Sequence, residues 1–411
     1  MSKRVVIIGG GISGLAAAYS IREHESASGS VATPYPEVLL IEKGDRIGGN
    51  IRTERIDGFV VEAGPDCFIS EKPWAMALCK RIGLEERLLP TNDEFRKTYV
   101  LSRDRLHELP EGVILMIPTR MLPLATSTLI SIPGKIRMAL EYFIPKKKDP
   151  GDESLGAFVR RRLGSEALEK IAEPLIAGIH SGDPDAMSIR STFPKFVELE
   201  EEHGSLIRGM LKRMARMKKS RGKQAAGKPP PGAPKKKVTM FMSLEGGMGE
   251  LVTTLTARLA AFKDTRVLTR VVASKVVKRG EKYEITVEGG EPIEADCVVI
   301  AAPAFAAAPL VEDLDSPLAE KLRTIPYVST ATVSVAFRAE DVTHPMDGFG
   351  FVIPRVENRR IMASTWTSVK FSHRAPEGTV LIRCFVGGAK RSELVSLNDT
   401  ELIRLVREEL R

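Results

Sequence analysis

Three glycines near the start of the chain carry the clearest chemistry. Gly9, Gly11 and Gly14 form a G-x-G-x-x-G pattern between an apolar run, Val5-Val6-Ile7-Ile8, and a helix-like segment beginning Leu15-Ala16-Ala17-Ala18-Tyr19. A strand, a tight turn and a helix in that order bring backbone amides to a diphosphate. Gly9 permits the turn, Gly11 lets the main chain approach the phosphates, and Gly14 lets the helix lie on the strand. With Gly10, Ile12 and Ser13, these residues offer amides at the positive end of a helix. A second apolar run, Val38-Leu39-Leu40-Ile41, ends in Glu42, whose carboxylate can accept both hydroxyls of an adenosine ribose. Glu42 lies 28 residues after Gly14, more than the usual ~20. The excess falls in the polar stretch 24–37, read as an inserted loop.

After Glu42 comes Lys43-Gly44-Asp45-Arg46-Ile47-Gly48-Gly49-Asn50, a second paired-glycine turn with an arginine, which gives another close approach to phosphate. A simple nicotinamide site does not need it. Glu62-Ala63-Gly64-Pro65-Asp66 offers a further tight bend. The series resembles the FAD-binding segment of the flavin amine oxidase superfamily, which includes monoamine oxidases, phytoene desaturases and porphyrinogen oxidases. The resemblance implies FAD, bound by Gly9, Gly10, Gly11, Ile12, Ser13, Gly14, Glu42, Lys43, Arg46, Gly49, Asn50, Gly64, Pro65 and Asp66. It also implies that Val272 and Ala273 carry backbone that meets the adenine. An arginine often stands in the family where this chain has Asp66, and the departure removes one cation near the flavin.

Further along, Arg96-Lys97-Thr98-Tyr99-Val100 precedes Leu106-His107-Glu108-Leu109-Pro110-Glu111-Gly112. Ile176-Ala177-Gly178-Ile179-His180-Ser181-Gly182-Asp183 is followed by Met187-Ser188-Ile189-Arg190-Ser191, and Gly348-Phe349-Gly350 by Val352-Ile353-Pro354. These segments resemble the protoporphyrinogen oxidase family, which in bacteria includes coproporphyrinogen oxidases. The resemblance implies oxidation of a porphyrinogen to a porphyrin with FAD and dioxygen, hydride passing from a meso carbon to flavin N5 and hydrogen peroxide being released. A porphyrinogen is a large apolar ring whose charges are propionates, so its site needs apolar walls and a cation at the rim. Arg96 would hold a propionate. Phe349 would sandwich a pyrrole, with Gly178 and Gly350 beside the ring and Val352, Trp366 and Phe385 as further wall. Without the family, Arg96 can also read as a surface arginine, Phe349 as core and Gly178 as a helix end, and His180 reads as structural rather than as a base. No catalytic acid, base or nucleophile is assigned. Two other functions stay open: an amine oxidase or carotenoid desaturase on the same scaffold, or a non-catalytic flavin-binding or membrane-scaffold protein.

The elements that must position these residues imply an α/β fold: a discontinuous Rossmann-like FAD/NAD(P)-binding domain, a mixed-sheet substrate domain and an inserted helical domain that is a candidate for membrane association. The expected divisions are 1–90 and 239–308 for FAD, 91–207 for the helical insertion, 208–238 for a basic flexible linker or loop, and 309–411 for the substrate domain. Val267–Val277 and Tyr283–Val287 read as strands, as does the run from Asp296 to Pro303, and Leu251, Leu255 and Leu259 as one face of a helix. The chain ends in an amphipathic pattern, Leu402, Leu405, Val406 and Leu410, where family members continue into a glycine-rich segment that closes over the flavin. The expectation is a fragment that purifies with little bound flavin.

Composition bounds the remaining choices. Among 411 residues, 43% are hydrophobic and 28% charged, enough apolar chain for a sizeable core. Four cysteines without C-x-x-C spacing and six scattered histidines exclude a disulfide scaffold and suggest no metal site. The net charge of +8 is local: residues 208–237 hold twelve Lys and Arg and no Asp or Glu, leaving −4 for the rest. Gly222–Lys237, with three prolines in a row and no aromatic to stack a base, speaks against nucleic acid. Its two readings are an anionic membrane contact and a solvated surface insertion. In 113–133, Arg120, Pro118, Pro123 and Pro133 interrupt the apolar run, so a spanning helix is not expected. Leu115, Met116, Ile117, Met121, Leu122 and Leu124, with Arg120 and Arg137 at the headgroups, read either as a surface dipping into one leaflet or as a packed helical core. The opening residues do not read as a secretory leader, so the expected location is cytoplasmic, with peripheral membrane contact open. A homodimer and a hand-off to a ferrochelatase are open expectations on partners.

Overall fold

Strand β1 (Arg4–Ile8) forms where the unbroken apolar run allows burial on both faces, as a central parallel strand requires. In the computed structural model, which describes residues 3–28, 36–92, 94–110, 113–114, 117–118, 121–149, 151–224 and 237–411, β1 is followed by helix α1 (Ile12–Ser28) and strand β2 (Glu37–Ile41). The helix runs through His24 to Ser28, so the expected loop from 24 begins later. The parallel sheet has the order 265–268, β2, β1, 297–300, with Ile7 paired to Leu40 on one side and Val299 on the other. The helix Gly249–Ala260 buries Leu251, Leu255 and Leu259, the expected face, in one core with Ile7, Leu15 and Leu40.

The run 267–277 is not one strand. Thr265–Leu268 joins the parallel sheet, whereas Ala273–Arg279 belongs to a separate antiparallel sheet with Lys282–Val287 and Ile293–Ala295. The break is made at Arg270, whose φ is 58°, and by amides that leave the ladder: Arg270 N donates to Gly44 O at 2.9 Å and Val271 N to Glu42 O at 3.0 Å.

The chain divides into two units, Met1–Thr91 with Lys236–Tyr327 and Asn92–Lys235 with Val328–Arg411. Residues 309–327 therefore lie in the first unit, where Leu310 of the helix Ala304–Val311 enters the core of Val276 and Ile285. The second unit is built on a mixed sheet of order 330–338, 379–387, 361–366, 348–352, 97–102, 105–108, in which only 348–352 and 97–102 are parallel among the described strands. Helices cover one face, where Phe158, Ile171 and Ile176 meet Val100, Val352 and Ala363. The other face holds Tyr99, Trp366 and Ile382 with Leu402, Leu405 and Val406 of the helix Asp399–Glu409.

Within the helical region a buried carboxylate sets the start of the basic helix Leu206–Gln224. Glu141 is paired with buried Arg162 and accepts from Ser205 Oγ at 2.7 Å, Leu206 N at 2.8 Å and Ile207 N at 3.1 Å. The two amides are among the orphan donors that any helix N-terminus must satisfy. The helix takes up the first part of the basic stretch, where Leu206, Met210, Met214 and Met217 keep a helical spacing; residues 225–236 of the stretch lie outside the described residues. So do Leu115, Met116 and Arg120 of the expected dipping surface, and the side chains of Ile117, Met121 and Leu122. Leu124 is buried in the helical core, and Arg137 donates to the carbonyls of Arg160, Arg161 and Arg162, which turns both away from a lipid-facing role. Among the described residues no helix is long and apolar enough to cross a membrane.

Candidate functional site

In the first unit, the turn between β1 and α1 needs its glycines for different reasons. Gly9 has φ 111°, and a Cβ on Gly14 would stand 2.0 Å from Gly9 O, so helix and strand touch there through hydrogen alone. Gly11 is the opposite case: a Cβ on it meets nothing within 4 Å. The first helical bond runs from Leu15 N to Gly11 O at 3.0 Å, so the amides of Ile12, Ser13 and Gly14 precede the i→i−4 ladder of α1.

Glu42 closes this end of the sheet. Its Oε2 accepts from Gly10 N and its Oε1 from Gly44 N, each at 2.7 Å. Both oxygens are thereby fixed while each keeps a further lone pair for a ribose hydroxyl. Gly49, with φ 56°, comes so close that its Cβ would lie 3.2 Å from Gly11 Cα. Arg46 braces the same turn by donating to Gly49 O at 2.6 Å and Ile51 O at 3.3 Å, while Lys43 and Asn50 are exposed beside it. A Cβ on Gly64 would lie 1.7 Å from Asn50 O, which presses the Gly64-Pro65-Asp66 bend on the turn. Val272 and Ala273 follow directly on the amide bonded to Glu42 O. The structure thus gathers the residues expected to hold a dinucleotide at one end of the parallel sheet. Open space at Gly11, two closely approaching glycine turns and a fixed carboxylate fit the phosphates and ribose of FAD.

Sequence reasoning missed the residue that ties this end to the rest of the unit. Glu62 is 2% exposed, accepts from Thr53 Oγ1 at 2.6 Å and from Met248 N at 2.7 Å, and so anchors the Gly246-Gly247-Met248 turn before the helix Gly249–Ala260. The signal was a carboxylate opening the Ala-Gly-Pro bend; Thr53 gave none.

In the second unit four of the expected wall positions divide between two faces. Val352 pairs across to Ala363 and Ala363 to Phe385, so the three side chains form a row on the helix-covered face. Gly178, in the helix Glu173–His180, sits on that row, its Cβ position 3.3 Å from Val352 Cγ1 and 4.0 Å from Ala363 Cβ. Gly350, with φ 134°, lets the strand come so close to its neighbour that a Cβ would stand 2.0 Å from Ser364 O. Arg96 is exposed and precedes Lys97, which is in register with Gly348, so in this parallel pair it lies on the Asp347 side of Gly348, and the strand register does not bring it to the half-buried Phe349. Trp366 does not join them. It is 2% exposed on the opposite face, its ring 4.7 Å from His344 and 5.7 Å from Tyr99. The physical reason is strand parity: Trp366 follows Ala363 by three residues in regular register and so points to the other face.

Titratable groups with displaced pKa values surround rather than line this row. Burial pushes the Glu173 carboxyl up to about 7, against the pull of Arg355, whose amide donates to it at 3.1 Å. Burial and the hydrogen bond to Asp347 at 2.6 Å push the Tyr99 hydroxyl up to about 12.

The chain matches the family described as flavin containing amine oxidoreductase over residues 12–411. It is 38% identical over 409 residues to the coproporphyrinogen III oxidase of Bacillus subtilis, covering all of this chain and 82% of that one. It is 30% identical to the chloroplastic protoporphyrinogen oxidase of Nicotiana tabacum, over 99% of this chain and 71% of that one. A crystal structure of an Exiguobacterium protein, provisionally assigned as a protoporphyrinogen oxidase, superposes with a TM-score of 0.81 at 32% identity, covering all of this chain and 82% of that one. The glycine turns, the ribose carboxylate and these similarities along the chain agree: the chain belongs to the flavin containing amine oxidoreductase family and takes FAD as its cofactor.

Proposed function

We propose that this protein oxidises a porphyrinogen to the porphyrin, a step of haem formation, with FAD held by the first unit and dioxygen as final acceptor, yielding hydrogen peroxide. The observation that carries the reading is the half-open Phe385 at the end of the buried Val352–Ala363 row beside Gly178, an apolar surface on which the macrocycle can rest. FAD, when bound, supplies a two-electron acceptor that dioxygen regenerates. The chain's own part is to bind and orient: Gly9–Gly14, Glu42 and Gly49 hold the dinucleotide, Phe349 and Phe385 flank the ring, and Arg96 pairs with a propionate. Coproporphyrinogen III is the favoured ring, because three bacterial relatives at 38%, 34% and 31% identity carry that substrate in their names. The test supplies coproporphyrinogen III and, separately, protoporphyrinogen IX in air and follows porphyrin fluorescence. Flavin-bound protein that gives no rate above autoxidation with either would sink the reading. Arg96→Ala should raise KM by about tenfold; unchanged kinetics would remove Arg96 from the site.

Peripheral contact with an anionic bilayer is part of the same proposal, through a surface other than the one around Leu124. Ile132, Ile136, Leu140 and Phe143 are exposed, at 72%, 56%, 48% and 72%, and share one side of consecutive helical turns. The basic helix starts beside them, with the Arg208 guanidinium 4.3 Å from the Tyr142 ring centroid. An apolar ridge rimmed by cations suits a lipid interface.

A further inference from the structure

Arg383 stands in the middle of the strand Thr379–Gly387 and is only 4% exposed, an uncommon place for a guanidinium. The pairing register puts it opposite Thr365 on one side and Ser334 on the other, so all three share a face. Phe385, two residues along, shares that face too, and the Arg383 guanidinium carbon lies 4.9 Å from its ring centroid. The face therefore carries two adjacent rows, the apolar one of Val352, Ala363 and Phe385 and a polar one of Thr365, Arg383 and Ser334. Val352 and Ala363 are buried, whereas Phe385, Thr365 and Ser334 are half-open, so the accessible part of the face surrounds the guanidinium.

We infer that Arg383 binds a carboxylate arm of the substrate while its plane holds the Phe385 ring against the macrocycle. A guanidinium in surroundings poorer in water than the surface binds a carboxylate more strongly and, through its fork of N–H donors, in a fixed orientation. One contact then does two things: it fixes the ring against its wall and selects for carboxylate-bearing rings over uncharged ones. Arg96, exposed at a strand start, reads a carboxylate at the rim; Arg383 reads one at the wall. The inference rests on the porphyrinogen reading.

The test compares coproporphyrinogen III with its methyl ester, which keeps the ring and lacks the charges. For Arg383→Met, KM for the acid should rise by about tenfold or more with kcat within about threefold, and KM for the ester should stay near the wild-type value. A role in packing alone would raise both KM values together or neither, and either result overturns the inference. Ser334→Glu, on the edge strand, keeps the test independent of how the buried substitution folds. Its carboxylate would occupy Arg383 from the facing position, raising KM for the acid and not for the ester. An unchanged KM for the acid in a folded Ser334→Glu variant counts against Arg383. Wild-type protein that oxidises neither compound overturns the porphyrinogen reading and this inference with it; active wild type with unaltered variants overturns this inference alone.

Discussion

Gly11 and Gly14 are three residues apart in one motif, yet the structure assigns them opposite sensitivities. Gly14→Ala drives a methyl into Gly9 O, so it should cost on the order of 3 kcal/mol or more of stability, measured by urea denaturation of the flavin-free protein. Gly11→Ala meets no protein atom within 4 Å, so stability should hold within about 0.5 kcal/mol. FAD affinity, followed by quenching of flavin fluorescence, should fall by about tenfold because the methyl intrudes where backbone must meet phosphate. Equal effects of the two substitutions on stability would contradict this division. Glycine spacing made the motif legible from sequence. The fixing of Glu42 between Gly10 and Gly44, and the burial of Glu62, were not, because each needs a partner distant in the chain, Gly10 for Glu42 and Met248 for Glu62. Arg383 was hidden for a related reason: an arginine within an alternating strand reads as solvent-facing, and only its neighbours' register buries it.

At the scale of elements, uninterrupted patterns were readable and bends were not. β1, β2 and the Leu251, Leu255 and Leu259 face followed directly from an apolar run or a 3.6-residue period. The break at Arg270 could not be seen in a β-rich stretch, since what ends the strand is its bonding to Gly44 and Glu42. Side choice for Trp366 could likewise not be read, since it depends on which residues of its strand pair with Val352 and Phe385. The helix Glu173–His180, which carries Gly178, begins on a buried carboxyl whose pKa is raised to about 7. Because its folded-state value exceeds the unfolded value of ~4.3, the folded protein binds more protons between the two. This contribution to stability is full at acid pH, declines as pH rises through that window and is flat above it. Glu173→Gln should therefore match wild type near pH 4 and exceed it at pH 8 by about 3 kcal/mol. Thermal melts at the two pH values measure it, and a gain that is the same at both would refute the assignment to Glu173.

For the molecule as a whole, the charge that gives the sequence its pI of about 9.2 belongs to one run on an otherwise acidic chain. Beside the start of that run lies the Ile132–Phe143 ridge, so lipid binding should need both anionic headgroups and the apolar side chains. The protein should float with anionic liposomes at low salt and be released at high salt. Ile136→Glu with Phe143→Glu should stay in the soluble layer with unchanged stability; flotation of that variant would place the contact elsewhere. Topology carries a further consequence, for synthesis. β1 lies between β2 and the strand Cys297–Ile300, and Val5 pairs with Cys297. At roughly 5–20 residues per second on the ribosome, one long edge of β1 waits roughly 15–60 s for its partner. Throughout that interval the whole 92–235 segment emerges ahead of the strand that completes the first sheet, so a nascent chain stalled before residue 297 exposes unpaired backbone groups of β1 among its apolar side chains and should depend on chaperones until the strand arrives.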